Sequence, residues 1–405
     1  MKHWREWDRI ISREAWNYHA EIVMLRTPAA KLSLLCMFVG SLFLACAKTT
    51  APREDLSIKP SLPVGRIIAG RDMTTARGGH AATVLPDFTV LITGGKDEHG
   101  KVLASTEIYS PSTELFSPAA KMLVAREGHI AALLPDGKTL IAGGMTSGGV
   151  PLASCEDYDF EGESFTRRGS MHSPRVHAAA VMLRDGRLLI TGGENGSQVL
   201  ASGELYDVLT GKWTLVVTMT EARANHSATM LSDGRVLIAG GTGSHHTALD
   251  TAEIFDPKNN QFTAAGHLHD ARSSHTTALL ANGDVLIAGG TTVATTSAGN
   301  TALASAEIYN AATASFTPTG SLTEARSRLP QSAALLDGRV VIMGGAASSE
   351  IFIPRTGLFR TVDGNLDTAR YDSAALQVMD GTTRFFGGYD SKGVSTAKTW
   401  IYRLK

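Results

Sequence analysis

The 405-residue chain has little of what most readily discloses a function. Its cysteines number three, Cys36, Cys46 and Cys155, too few for a disulfide framework once the first two are assigned to a leader. Net charge is −1 and aromatics are 6%, which removes bulk electrostatic attraction to nucleic acid as a basis for function. A single long apolar run, LSLLCMFVGSLFLA at 32–45, excludes a polytopic membrane protein. No nucleophile elbow, phosphate-binding loop or zinc-protease motif occurs. Glycine, by contrast, is abundant at 41 residues, so tight turns are frequent.

The apolar run is short for a membrane span, which needs about 20 residues, but it suits the core of a signal peptide. Arg26 and Lys31 supply its positive flank, and it ends in Phe43-Leu44-Ala45-Cys46. This ending resembles the bacterial lipobox, in which a small residue precedes a cysteine that becomes lipidated, so Cys46 is the candidate lipidation site. Ala47 in place of aspartate implies passage onward to the outer membrane. Met24 opens a complete signal peptide by itself. The expected organisation is therefore a gene-model extension or leader (1–23), a signal peptide (24–45), a proline-containing tether (46–65) and a folded domain (66–405). The expected location is the bacterial cell envelope, lipid-anchored.

The folded domain is repetitive. Gly-Gly pairs begin at Gly94, Gly143, Gly192, Gly240, Gly289, Gly344 and Gly387, and each closes an apolar run such as TVLITGG or VLIAGG. Before six of these runs stands Asp-Gly or Asn-Gly, as at Asp136-Gly137 and Asn282-Gly283, which predicts a two-residue type I′ hairpin. The first copy has Asp87-Phe88, and a different turn is expected there because phenylalanine is strained at positive φ. A third strand carries glutamate two residues before an aromatic, as in Glu107/Tyr109, and a fourth starts at an aromatic such as Phe116. Four short strands per repeat with no helical period describe one blade of a β-propeller.

Double glycine, tyrosine, aromatic and a following arginine, in that order, resemble the kelch family, and the resemblance spans about residues 66 to 405. The R-x-x-H-x-A-x-L-L-x-D-G form is similar to the bacterial branch and to the propeller domain of galactose oxidase. The fold class expected is all-β, a seven-bladed kelch-type β-propeller. Its closing strand is Arg66-Ile67-Ile68-Ala69, which should complete the last blade beside TAKTWIYRLK.

Residues present in every blade are read as scaffold: Arg77, Arg126, Arg175, Arg223, Arg272, Arg326 and Arg370, with His80, His129, His177, His226 and His275. The arginines are expected to staple blades through the repeated glutamate or carbonyls, and the histidines to bond backbone. Recognition is expected on the face bearing the loops after Gly-Gly, where lengths vary. The candidate ligand-binding residues are His245, His246, His267 and His269 of the fourth copy, with Arg328 and Asp372, where the histidine pattern lapses. No metal and no cofactor are expected. The galactose oxidase resemblance implies a copper site with a cysteine-linked tyrosine and a histidine from a further domain, and Cys155 is the only thiol that could serve. The expected function is an envelope-tethered, monomeric binding module for a protein or glycan, with a carbohydrate-active periplasmic enzyme such as a sugar mutarotase as the alternative.

Overall fold

A computed structural model describes residues 63–404, apart from 294–300, 331, 332 and 336. The expectations for the leader, for Cys46 and for most of the tether lie outside the described residues.

Within them, twenty-eight strands form seven four-stranded antiparallel sheets. Six sheets use four consecutive strands. The seventh joins Ala374–Gln377, Thr383–Phe386 and Thr399–Arg403 to Arg66–Ala69 from the other end of the domain. Arg66 faces Arg403 and Ala69 faces Trp400 in that pairing. The first strand of each sheet contacts the first strands of its neighbours, and the ring runs through from Ala374–Gln377 to Ala81–Val84. The molecule is a seven-bladed propeller. Alanine recurs in these inner strands (AATV, IAAL, AAVM), where blades converge and little room remains.

The second strands, such as Val90–Thr93 and Val236–Ala239, are buried throughout, as continuous apolar runs covered on both faces should be. Seven apolar clusters result, each between two successive blades. One joins Leu140 and Cys155 of blade two to Leu188, Tyr206 and Trp213 of blade three. The repeated aromatics pair within each blade at 4.7–5.0 Å between ring centroids. In blade seven Tyr402 instead faces Ile67 of the closing strand.

The hairpin turns differ from expectation. In blade two Gly137 donates to the Leu134 carbonyl and Leu134 to the Lys138 carbonyl, enclosing three residues, of which Gly137 alone has positive φ. This is a type I turn with a glycine bulge, not type I′, and Asp136 Oδ1 tightens it by accepting the Lys138 N–H at 3.1 Å. The first copy makes the same turn. Phe88 repeats the hydrogen bonds and takes φ +68°, at a conformational cost of about 1–3 kcal/mol.

Six of the repeated arginines meet the repeated glutamates at 2.6–3.1 Å, from Arg77–Glu107 to Arg326–Glu350. Each also donates to the carbonyl of the first paired glycine, as Arg175 does to Gly192 at 2.8 Å. The other carboxylate oxygen accepts a backbone N–H three residues before the arginine, for example that of His172. The staple thus ties each inter-blade connection to the blade it enters. Blade seven departs from this scheme. Trp400 occupies the glutamate position, and Arg370 pairs with Asp367 while lying 5.9 Å from the Trp400 ring centroid.

One blade carries a carboxylate at a position that is aliphatic in the others. Asp157 is fully buried where the other six blades have Ile or Leu, such as Ile108 and Leu205. It pairs with Arg168 through Oδ2, its Oδ1 has no partner, and burial pushes its carboxyl above the usual range. A carboxyl raised in the folded state stabilises the fold at low pH, and that contribution is lost as pH rises through the folded value. Asp157→Ile is therefore expected to raise the melting temperature at pH 7 and to do so less at pH 3. Equal or lower melting temperatures at pH 7 would show that the ion pair stabilises the blade.

Candidate functional site

Two residues beyond each repeated arginine the chain turns left-handed. The residues are Gly79, Gly128, His177, Asn225, Ser274, Arg328 and Asp372, with φ between 46° and 64°. Their common conformation has a common cause. Gly79 N–H donates to the Asp372 carbonyl, Gly128 to Gly79, Asn225 to His177, Ser274 to Asn225, and Asp372 to Arg328, at 2.8–3.2 Å. Leu329 N–H reaches the Ser274 carbonyl at 3.4 Å. Backbone hydrogen bonds thus make six of the seven steps from blade to blade around the axis, the step from Gly128 to His177 being open, and the left-handed turn aims the peptides along this circle. Just outside it, in six of the seven blades, the residue after the Gly-Gly pair bridges the residue after the arginine, as Lys96 does with Gly78 and Tyr389 with Tyr371.

This circle rims a cavity of about 650 Å³ at the mouth of the propeller on the post-Gly-Gly face. The blades contribute unequally. Blades one and two have Gly79 and Gly128, and a Cβ at Gly79 would come within 3.4 Å of the Tyr389 hydroxyl. Beside this gap, Lys96 Nζ meets Glu127 at 2.7 Å. The Tyr389 hydroxyl lies 2.9 Å from the Gly78 carbonyl and 3.2 Å from Glu127 Oε2. Burial, with Glu127 alongside, pushes the Tyr389 phenol well above its usual range, so it stays protonated.

Across the mouth Arg328 pairs with Asp372 of the next blade, and its guanidinium lies 5.5 Å from the Tyr371 ring centroid. Burial alone would lower the Arg328 pKa, but the bond and charge of Asp372 carry it above the usual value. On the blade-three side His177 Nδ1 lies 3.7 Å from Glu194, whose carboxyl the histidine holds below the ordinary range. Blades four and five add neutral Asn225 and Ser274. The mouth therefore offers donors, acceptors and both charge signs in an uneven ring. Below it, the inner strands of blades three to six line a second cavity, of about 390 Å³, with residues such as Ala180, Met182 and Ala228.

Of the sequence-predicted residues, the structure brings Arg328 and Asp372 together at this mouth. It does not gather the four histidines. His245 and His246 are exposed in the loop after Gly241, with His246 near enough to Glu194 to lower its pKa. His267 ends an outermost strand, 3.2 Å from Asp250, and His269 reaches the Phe316 carbonyl of the next blade at 3.3 Å. Both are peripheral, because their stretch runs along the outside of the blade. Among the described residues no group of three or more His, Cys, Asp or Glu is arranged to hold a metal ion.

The scaffold histidines also need correction. His129 and His226 bond the hydroxyls of Thr93 and Thr191 in the preceding blade, and His275 that of Ser227, in addition to the backbone of the arginine three residues before each. His80 has no partner in the structure. Burial, with the neighbouring arginine, holds His80, His129 and His275 down to about 3. His177 is not one of this set. It stands one place earlier, on the rim, and half-buried Ala178 takes the place that histidine holds in blades one, two, four and five. Lys96, Glu127 and Tyr389 were missed because their neighbours are invariant scaffold. Comparing the repeats at the positions one after Gly-Gly, and one and two after Arg, exposes them: those positions change chemistry from blade to blade.

The family model for the Kelch motif matches residues 175–220 and 222–268. Beta-scruin of Limulus polyphemus is 28% identical over 115 residues, which is 28% of this chain and 12% of that protein's length. Among solved structures, a novel fungal alcohol oxidase of the AA5 family, in complex with copper, superposes with a TM-score of 0.66 at 18% identity, covering 85% of this chain and 76% of the other. At that identity the likeness concerns the fold alone. The residues here do not fit a copper site with a cysteine-linked tyrosine: Cys155 is buried in the cluster between blades two and three, and burial pushes its thiol up to about 12. The chain is a seven-bladed β-propeller that carries Kelch motifs.

Proposed function

We propose that this propeller is a binding module that recognises a protein or glycan through the mouth on its post-Gly-Gly face. The observation that carries the reading is the uneven ring at the mouth, where blades otherwise alike present Lys96, Glu127, His177, Arg328, Asp372 and Tyr389. Recognition needs a few distinctive anchors on a rigid frame, and the circle of backbone hydrogen bonds holds these in place. Propellers with Kelch motifs generally mediate protein interactions, although fold alone does not assign function. The ion pairs favour binding over the alternative of carbohydrate chemistry, because Glu127 and Asp372, the acid–base candidates, are each engaged by a cation.

Arg328 and Asp372 form the centre of the contact, His245 and His246 flank it, and His267 and His269 are reached only by a ligand that overruns the rim. The full chain screened on a glycan array and in a pull-down supplies the ligand. Arg328→Ala and Lys96→Ala are then expected to weaken binding about tenfold or more each, with melting temperature nearly unchanged. Arg187→Ala and Arg235→Ala on the opposite face should leave it intact, and the reverse pattern would refute this reading. The same proposal holds the domain at the envelope through lipid on Cys46, so Cys46→Ser should move the protein out of the detergent phase. Equal partitioning of variant and wild type would remove the anchor.

A further inference from the structure

On the opposite face the seven hairpin turns are not equivalent. Four turn aspartates are neutralised by an arginine of the following strand: Asp185–Arg187, Asp233–Arg235 and Asp337–Arg339 at 2.6 Å, and Asp380–Arg384 at 2.9 Å. Blade five has Asn282 there. In blades one and two the arginine is absent. Thr89 bonds Asp87 through its hydroxyl at 2.7 Å, and Lys138 turns to Asp159 at 3.2 Å, away from Asp136. Asp87 and Asp136 thus make no salt bridge with a described residue, although Arg168 is near enough to Asp136 to sense its charge.

Apolar side chains stand exposed beside these two aspartates, as Leu209 and Leu358 do elsewhere on this face. Phe88, half exposed, stands where the other six turns have glycine. Ahead of the turn aspartates, Pro86 and Pro135 approach the turn of the next blade: a Cβ on Gly137 would lie 3.7 Å from Pro86, and one on Gly186 3.7 Å from Pro135. Met379, 69% exposed, holds the same sequence position in blade seven, ahead of the blade-one turn that carries Phe88. An apolar arc therefore runs from Met379 through Phe88 and Pro86 to Pro135, with Asp87 and Asp136 along it. It ends at blade three, where Arg184 takes the proline's place.

We infer that this arc is a second docking surface, and that its occupant is a protein segment presenting a large apolar side chain beside a lysine or arginine. Glycine would make the blade-one turn without strain, and the phenylalanine there is not repaid by burial within this chain. The apolar side chain covers Phe88 and Met379, and the cation meets Asp87 or Asp136. The two carboxylates turn away an acidic segment or an anionic lipid surface. They also disfavour a second copy of the chain, since a two-fold contact would set the same carboxylates against each other.

The test uses the full chain and three fluorescent peptides of equal length, alternating Lys with Leu, Glu with Leu, and Lys with Ser, read by anisotropy. The Lys/Leu peptide should bind about tenfold or more tightly than the other two. Phe88→Gly with Met379→Ser, and separately Asp87→Asn with Asp136→Asn, should each weaken it about tenfold. Phe88→Gly restores the glycine of the repeat, so its melting temperature should hold or rise, which separates lost binding from lost structure. The inference is overturned if the Lys/Leu peptide does not bind at about 1 mM, if the Glu/Leu peptide binds as well, or if the apolar double variant is silent. A concentration-dependent dimer that Phe88→Gly dissolves would assign the surface to a second copy and overturn it equally.

Discussion

Glu204→Ala is expected to destabilise the propeller by about 3–5 kcal/mol, the range for removing one partner of a buried pair. The carboxylate is fully buried and serves four groups at once, one of them the Ser173 N–H at 3.1 Å. One oxygen meets Arg175, and the other accepts the His172 N–H and lies 2.9 Å from the His172 ring. Removing it leaves a guanidinium buried without its counter-charge and a backbone donor without its acceptor. Asp367→Ala in blade seven should cost clearly less. Asp367 is a quarter exposed, and Arg370 keeps its place against the Trp400 ring. Chemical denaturation of the two variants checks both. Equal losses would mean that the repeated pair is no more than a surface contact.

A truncation that starts at Asp72 should weaken cooperative unfolding still more. It removes the strand Arg66–Ala69, and with it Ile67, which is buried against Val341, Phe385 and Tyr402 in the cluster joining blades six and seven. It also bares the edge of Thr399–Arg403, a row of open backbone groups that invites pairing with other chains. Losing one such apolar side chain costs about 2–5 kcal/mol before the strand's hydrogen bonds are counted. The two ends of the domain are also joined from Arg384 and Arg403 of blade seven to Glu114 of blade one, at 3.5 and 2.7 Å, and this link survives the truncation. The expected result is a broad, early transition with aggregation. A truncated chain that melts like the full one would show that closure rests on Glu114 rather than on the strand.

The fold was legible because its determinants recur. Seven glycine pairs, seven arginines and the aromatic couples appear at nearly constant spacing, and the structure gives them one role in almost every blade. Misreadings arose where one dipeptide serves two geometries. Asp-Gly suits both a type I′ turn and a type I turn with a bulge, and only the hydrogen bonds from Leu134 distinguish them. Position mattered as much at His177, where a shift of one residue carries an imidazole from a buried niche to the rim. The site was half legible. Arg328 and Asp372 stood out as breaks in the pattern, but Lys96, Glu127 and Tyr389 are neighbours only through the circular stacking of blades one, two and seven. The four histidines looked like a cluster because they are close in sequence, yet His245 and His246 stand exposed in the loop after Gly241, while His267 turns to Asp250 and His269 to the Phe316 carbonyl.

The post-Gly-Gly mouth is proposed as the place where the array- or pull-down-identified ligand binds. Hydrogen exchange of the full chain with and without that ligand tests it most directly. Protection should rise at Gly78–His80, Glu127–His129, Arg328–Leu329 and Tyr371–Ser373, whose amides form or adjoin the circle at the mouth, while the turns at Asp185, Asp233 and Asp337 exchange as before. Protection confined to those turns, with the mouth unchanged, would contradict it.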